Sequence, residues 1–213
     1  STLMKIASGA IAPNGGTVEI AGRMLERADP RQALSHGLAT VYQDDSLVRE
    51  LTVAQNLYLA TAPGEVPYRA MTAWAEKKLA PFGLGISPKS LVGDLTSAHR
   101  QFVEIVKALL SRPRVLLLDE PTSTLDHDGV IHLSRIVREL AVEGTGIVYV
   151  SHRLPEILDL ADRVTILRDG VHEGTFEVTS ETSEHELVSR MIGRDVENEY
   201  PVKPGAIVHD PVL

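Results

Sequence analysis

No cysteine occurs among the 213 residues. That excludes disulfides and thiolate metal sites and fits a reducing compartment. Aromatic residues make up only 4%, so aliphatic side chains must build any core, and at 43% hydrophobic residues there are enough of them. Basic charge is the scarcer sign: 21 Lys and Arg stand against 29 Asp and Glu, a formal net charge of −8. A nucleic-acid or anionic-lipid surface would need a basic footprint, so neither is expected. No apolar run approaches the ~20 residues of a membrane span, and no signal peptide is visible, so any membrane role is expected to be peripheral. The nucleophile motif G-x-S-x-G is also missing, as are internal repeats. The eight histidines show no zinc-binding spacing; His127 and His132 are not an i, i+4 pair, and both read as solvated. Adjacent Asp44 and Asp45 read as surface acids.

What is present is concentrated in the run from Val115 to Asp126, VLLLDEPTSTLD. Four consecutive apolar residues predict a strand buried on both faces, as in a parallel sheet. The strand ends in two adjacent carboxylates, Asp119 and Glu120, and Pro121 stops it because proline has no N–H for the ladder. A second strand, Ile147 to Val150, ends in Ser151-His152, and residues 129–142 between them read as a helix. Strand, helix and parallel strand make a βαβ unit, whose ligands sit at the carboxyl ends of the strands. Asp119, Glu120 and His152 are therefore expected on one edge. An acid for Mg²⁺, an acid to orient water and a histidine for a phosphate would make a nucleotide-hydrolysis site. The acidic net charge is no obstacle, because phosphates are held by local N–H groups, Lys and Mg²⁺.

Along the chain, residues 1–8 predict a helix with Gly9 near its end, and residues 13–16 a turn. Thr17 to Ile20 alternates like a strand and turns at Ala21-Gly22. A short helix is expected near Pro30–Ser35, ending around His36-Gly37. Leu38 to Tyr42 predicts a strand that delivers Gln43 to its end. Residues 51–110 read as mostly helical, interrupted at Pro63-Gly64 and between Pro81 and Pro88. Phe102, Ile105, Val106 and Leu109 share one helical face, with Glu104 and Lys107 off it. Val164 to Leu167 and Gly174 to Val178 flank a hairpin turn at Asp169-Gly170. Ser183 and Glu186 fit a capping box for a helix ending at Gly193. The proline-containing stretch 201–213 reads as a linker.

LLLDEPTSTLD resembles the Walker B strand and D-loop of ABC-type ATPases, YVSHRLPEI resembles their H-loop, and Val41-Tyr42-Gln43 before LTVAQNLYLA resembles their Q-loop. LTVAQNLYLA, SHRLPEI, ADRVTILRDG and MIGRD together are most similar to the ATPase of simple-sugar (ribose/galactose-type) importers. The likeness runs from Ser1 to about Tyr200, and nucleoside importers share much of it. It implies an α/β P-loop NTPase of ABC type, with a mostly parallel core sheet and an inserted helical subdomain. The expected organisation is an ATPase domain over residues 1–200, the helical subdomain over about 44–112, and the linker toward a second ATPase half. Ser1-Thr2 resembles the residues that follow a P-loop lysine, so the chain is expected to open inside the Walker A motif, without the leading strands and P-loop glycines. An ordinary Ser-capped helix is the plain alternative.

The resemblance also assigns roles. Asp119 would hold Mg²⁺, with Ser1 and Gln43 as further ligands, and Ser1, Thr2, Gln43, Asp119 and His152 would contact ATP. Glu120 would polarise the attacking water, His152 would meet the γ-phosphate, and Gln43 would report the nucleotide state to the helical subdomain. Ser123, Leu125 and Asp126 would form the D-loop, with Asp126 equally at home as a helix-start acid. The signature segment departs from the family pattern L-S-G-G-Q: it reads Leu95-Thr96-Ser97-Ala98-His99. Ala98 stands where a glycine permits close backbone approach, which predicts either a weakened clamp on the partner's nucleotide or a serviceable cap. The implied partners are a second ATPase domain, fused or separate, membrane permease subunits meeting Leu47, Val48 or Leu51, and indirectly a solute-binding protein, all at the cytoplasmic face of the membrane. Two rival readings stand beside this one: a catalytically weak regulatory half, and a soluble ABC ATPase acting on nucleic acid, which the acidic balance disfavours.

Overall fold

The computed structural model describes residues 2–42 and 46–192. Ser1, Gln43, Asp44 and Asp45 lie outside that set, as do the expected helix end at Gly193 and the expected linker. The chain divides into two compact units, Ser1–Arg153 and Leu154–Leu213.

The first unit is organised by a parallel sheet of strands β3 (Leu38–Val41), β4 (Val115–Asp119) and β5 (Gly146–Val150), in the order β3-β4-β5. Leu116, Leu117 and Leu118 of the central strand are all but sealed from solvent, as the apolar run requires. Leu118 pairs with Val41 on one side and Tyr149 on the other. Helix α6 (His127–Val142) is the crossover between β4 and β5, so the βαβ unit forms as expected.

Ahead of the sheet come α1 (Thr2–Ala7), the two-residue strands β1 (Glu19–Ile20) and β2 (Arg23–Met24), and α2 (Pro30–Ser35). Only two residues of the expected strand from Thr17 pair, because the partner after the tight turn is itself two residues long. Met4, Ile20, Ala33, Leu38 and Leu117 close into one buried cluster. Gly9 has φ of +74°, and a Cβ there would lie 2.9 Å from the Asp29 backbone. That close approach seats the end of α1 against Asp29, the residue that caps α2.

Between β3 and β4 lie α3 (Val53–Tyr58), α4 (Met71–Leu79) and α5 (Ser97–Leu109). The region is less helical than its sequence suggests. Pro67 precedes a short 3₁₀ turn, Pro81 sits inside another, and proline cannot extend an α-helix past its first turn. Helix α3 packs on α4 and α5, and α5 packs on β3. Phe102, Ile105 and Val106 are buried as predicted, but Glu104, placed off that face by periodicity, is buried too. His132 is not solvated either: it meets the Phe102 ring edge-on with centroids 5.3 Å apart.

The second unit holds α7 (Leu154–Leu160), the hairpin β6 (Arg163–Arg168) and β7 (Val171–Glu177), and α8 (Glu184–Ile192). The hairpin turns at Asp169-Gly170, both at positive φ. Ser183 Oγ accepts from the Glu186 N–H at 3.2 Å, while the Glu186 carboxylate is engaged by Arg190.

Candidate active site

Strand β4 runs out of ladder at Asp119, which is 95% buried. The next residue, Glu120, continues the pairing by one bond: its N–H donates to the Val150 carbonyl at 2.9 Å. Its φ of +49° then reverses the chain. That left-handed conformation is uncommon for a residue with a Cβ and costs about 1–2 kcal/mol. The turn that follows is closed by main-chain bonds from Ser123 N–H to Glu120 and from Leu125 N–H to Thr122. Asp126 then caps α6, its carboxylate accepting from the Gly129 N–H at 2.9 Å. The helix-start reading of Asp126 therefore holds. Leu125 is buried, while Ser123 and Asp126 are exposed.

Two residues beyond β5, His152 places Nδ1 3.3 Å from Glu120 Oε1. The side chains are 68% and 31% exposed, so this is a solvent-facing contact of modest strength. Its value is positional. Residues 32 apart in sequence meet at the carboxyl edge of the sheet, beside the buried Asp119, as the βαβ argument required. Ser1 and Gln43 lie outside the described residues, and Thr2 opens α1 on the surface.

The signature segment stands at the N-terminus of α5. Thr96 is the cap, its oxygen accepting from the His99 N–H at 3.1 Å. Capping uses Thr96 as an acceptor and leaves its O–H available to donate. Thr96 and Ser97 are exposed, Leu95, Ala98 and His99 half-buried. The Leu95 carbonyl accepts from the Arg100 guanidinium.

Sequence reasoning missed the way the loop after Gln43 is held. Ser46 gives its N–H to Glu104 Oε1 at 2.6 Å and its hydroxyl to Oε2 at 3.0 Å. Lys107 Nζ reaches the Ser46 carbonyl and hydroxyl from the next turn of α5. Farther along, buried Asn56 takes the Val48 N–H at 2.8 Å and donates to the carbonyls of Val48 and Thr52. Of the residues considered for a partner surface, Leu47 is 7% exposed and belongs to the core, whereas Val48 is 41% exposed. The only sequence signal for this arrangement was a Glu and a Lys one helical turn apart.

Asp119 is a hard oxygen donor of the kind Mg²⁺ takes, so the described part of the proposed ligand set fits that ion. No helix among the described residues is long and apolar enough to cross a membrane.

Comparison with known proteins agrees with this geometry. The chain is 42% identical over 214 residues to a ribose import ATP-binding protein RbsA 1 of Rubrobacter xylanophilus, covering 98% of this chain and 42% of that protein. It is 44% identical over 204 residues to a protein of the same name from Streptomyces avermitilis, covering 94% and 39%. The chain thus spans about two fifths of the length of these relatives. Among solved structures it superposes on a nucleotide-free ATP-binding cassette from an ABC transporter with a TM-score of 0.73 at 20% identity, over 90% of this chain and 79% of that one. The fold is that of an ATP-binding cassette. The family described as ABC transporter matches residues 1–123, a span that includes the signature segment, Asp119 and Glu120, and the chain belongs to that family.

Proposed function

We propose that this chain is an ATP-hydrolysing domain that powers import of a sugar of the ribose/galactose class, working with permease subunits, a solute-binding protein and a second ATPase domain. The supporting observation is the meeting of Glu120 and His152 at the sheet edge beside Asp119. Relatives named for ribose import support the solute class. In this reading residues 1–200 form the ATPase domain, 44–112 its helical subdomain, and 201–213 lead to a second ATPase half. The assembly would sit peripherally at the cytoplasmic face of the membrane.

Hydrolysis of the γ-phosphate demands positioning more than covalent chemistry. Glu120 accepts a proton from the attacking water as its oxygen bonds to phosphorus and the bond to the β-phosphate oxygen breaks. His152 donates to the γ-phosphate, so its contact with Glu120 must loosen to admit water and phosphate between them. Asp119, with Ser1 and Gln43, would hold Mg²⁺, which when bound supplies charge neutralisation on the phosphates. The exposed hydroxyls of Thr96 and Ser97 would reach the nucleotide held by the partner domain, while Ser97 and Ala98 each carry a Cβ where the family pattern has glycine, which works against a close approach.

The test is Mg²⁺-dependent ATP hydrolysis by the chain joined to a P-loop segment, with Glu120→Gln beside it. Loss of a well-placed general base lowers turnover by about 10²–10⁴-fold. An unchanged rate in the variant would remove Glu120 from the chemistry, and absence of ATP binding would overturn the reading itself.

A further inference from the structure

Ser46, three residues after Gln43 in sequence, has its N–H, hydroxyl and carbonyl all engaged. Its N–H and hydroxyl both go to one carboxylate, that of Glu104, a side chain 58 positions away that is 91% buried. Its carbonyl and hydroxyl both receive the Lys107 ammonium. Glu104 and Lys107 lie one turn apart on α5, so a single helix grips Ser46 from both ends of its polar inventory. The same loop is tied a second time to the chain entering α5: Gly93 N–H donates to the Arg49 carbonyl at 2.9 Å and Val92 N–H to the Leu51 carbonyl at 3.0 Å. A Cβ at position 93 would approach the Arg49 oxygen to 3.2 Å, which leaves little room for slippage. Asn56 fixes the loop's middle to α3. A buried carboxylate is costly unless fully bonded. Stability alone would be as well served by apolar residues in place of the whole bonded set.

We propose that Glu104 and Lys107 are positioning residues that lock Ser46 to α5, so that the loop following Gln43 and the helix bearing Leu95–His99 move as one piece. The proposal rests on the functional reading above. It means that any displacement of Ser46 is carried by α5 to the segment acting on the partner's nucleotide. The latch is charge-assisted and satisfied on both sides, features of a stiff connection.

The experiment uses the full-length gene product with Mg·ATP. It compares wild type with Glu104→Gln, Ser46→Ala, the double variant, and Val103→Ala as a control that loosens α5 from its core face. Glu104→Gln and Ser46→Ala are each expected to lower kcat about tenfold, within the range for substitutions along a coupling network. KM for ATP should change less than about twofold, since neither side chain touches nucleotide. The double variant should fall no further than the worse single, because both break the same link. Val103→Ala should lower the melting temperature at least as much while keeping kcat within about twofold of wild type. A kcat near wild type in Glu104→Gln, additive losses in the double variant, or an equal loss in Val103→Ala would each overturn the latch. Wild-type turnover with unaffected variants would sink the latch and spare the functional reading; a wild type that binds no ATP would sink both.

Discussion

Two loops leave adjacent strands of one sheet, and side chains have a different share in holding each. The loop after β4, from Glu120 to Asp126, is fixed by its own backbone: N–H groups of residues 120, 123 and 125 find carbonyls on the neighbouring strand or within the turn. The loop after β3 is held at Ser46 and Val48 by side chains from elsewhere, Glu104, Lys107 and Asn56, in addition to main-chain bonds at Arg49 and Leu51. Backbone bonding tolerates substitution of most side chains and places Glu120 with little dependence on the rest of the molecule. Side-chain bonding makes the other loop's position conditional on two helices. A chemical group suits the first kind of support, a moving connection the second.

The comparison can be broken most readily at Asn56. Asn56→Ala removes the partners of the Val48 N–H and carbonyl and should destabilise the loop by about 2–3 kcal/mol. Amides of residues 48–52 should then exchange with solvent about two orders of magnitude faster, and protection equal to wild type would show that the main-chain bonds alone suffice to hold this loop. On the other side, Asp126→Ala removes only a helix cap. It should cost about 1 kcal/mol, visible as weaker protection of the first turn of α6 with residues 120–123 unchanged. A rise in exchange at Glu120 would mean that the first loop, too, depends on side chains. The smallest expected effect has the opposite sign. Glu120→Asn places at a φ of +49° a residue that tolerates the left-handed region better. It should stabilise the fold by about 0.5–1 kcal/mol while turnover is lost, and a lower melting temperature would show that the Glu120 backbone is not strained.

The same contrast explains which parts of the molecule were legible in the sequence. The βαβ unit, the meeting of Asp119, Glu120 and His152, the Asp126 cap and the Asp169-Gly170 hairpin each follow from patterns within a few dozen residues. Buried apolar runs, a helix-start acid and turn residues act locally, and local signals survive in a one-dimensional reading. Glu104 was placed only off the apolar face because periodicity reports only which face of a helix is apolar. It cannot say that a serine on a distant loop will come to cover the polar side. His132 was misassigned for the same reason, since its partner Phe102 lies on another helix. The region between α3 and α5 was overestimated as helical because its prolines fall where 3₁₀ turns, not longer helices, bridge the segments.

Helix α5 rises about 1.5 Å per residue, so its cap at Thr96 stands about 12 Å along the axis from the Glu104 grip. That span makes the helix a short lever with Ser46 near its pivot. A tilt of about 5° at the pivot carries the Thr96 hydroxyl through about 1 Å, and a misplacement of that size is enough to change a rate by about 10²-fold. A barely visible shift at one serine would therefore be magnified into a large difference in rate eight residues away, at the cap of the helix.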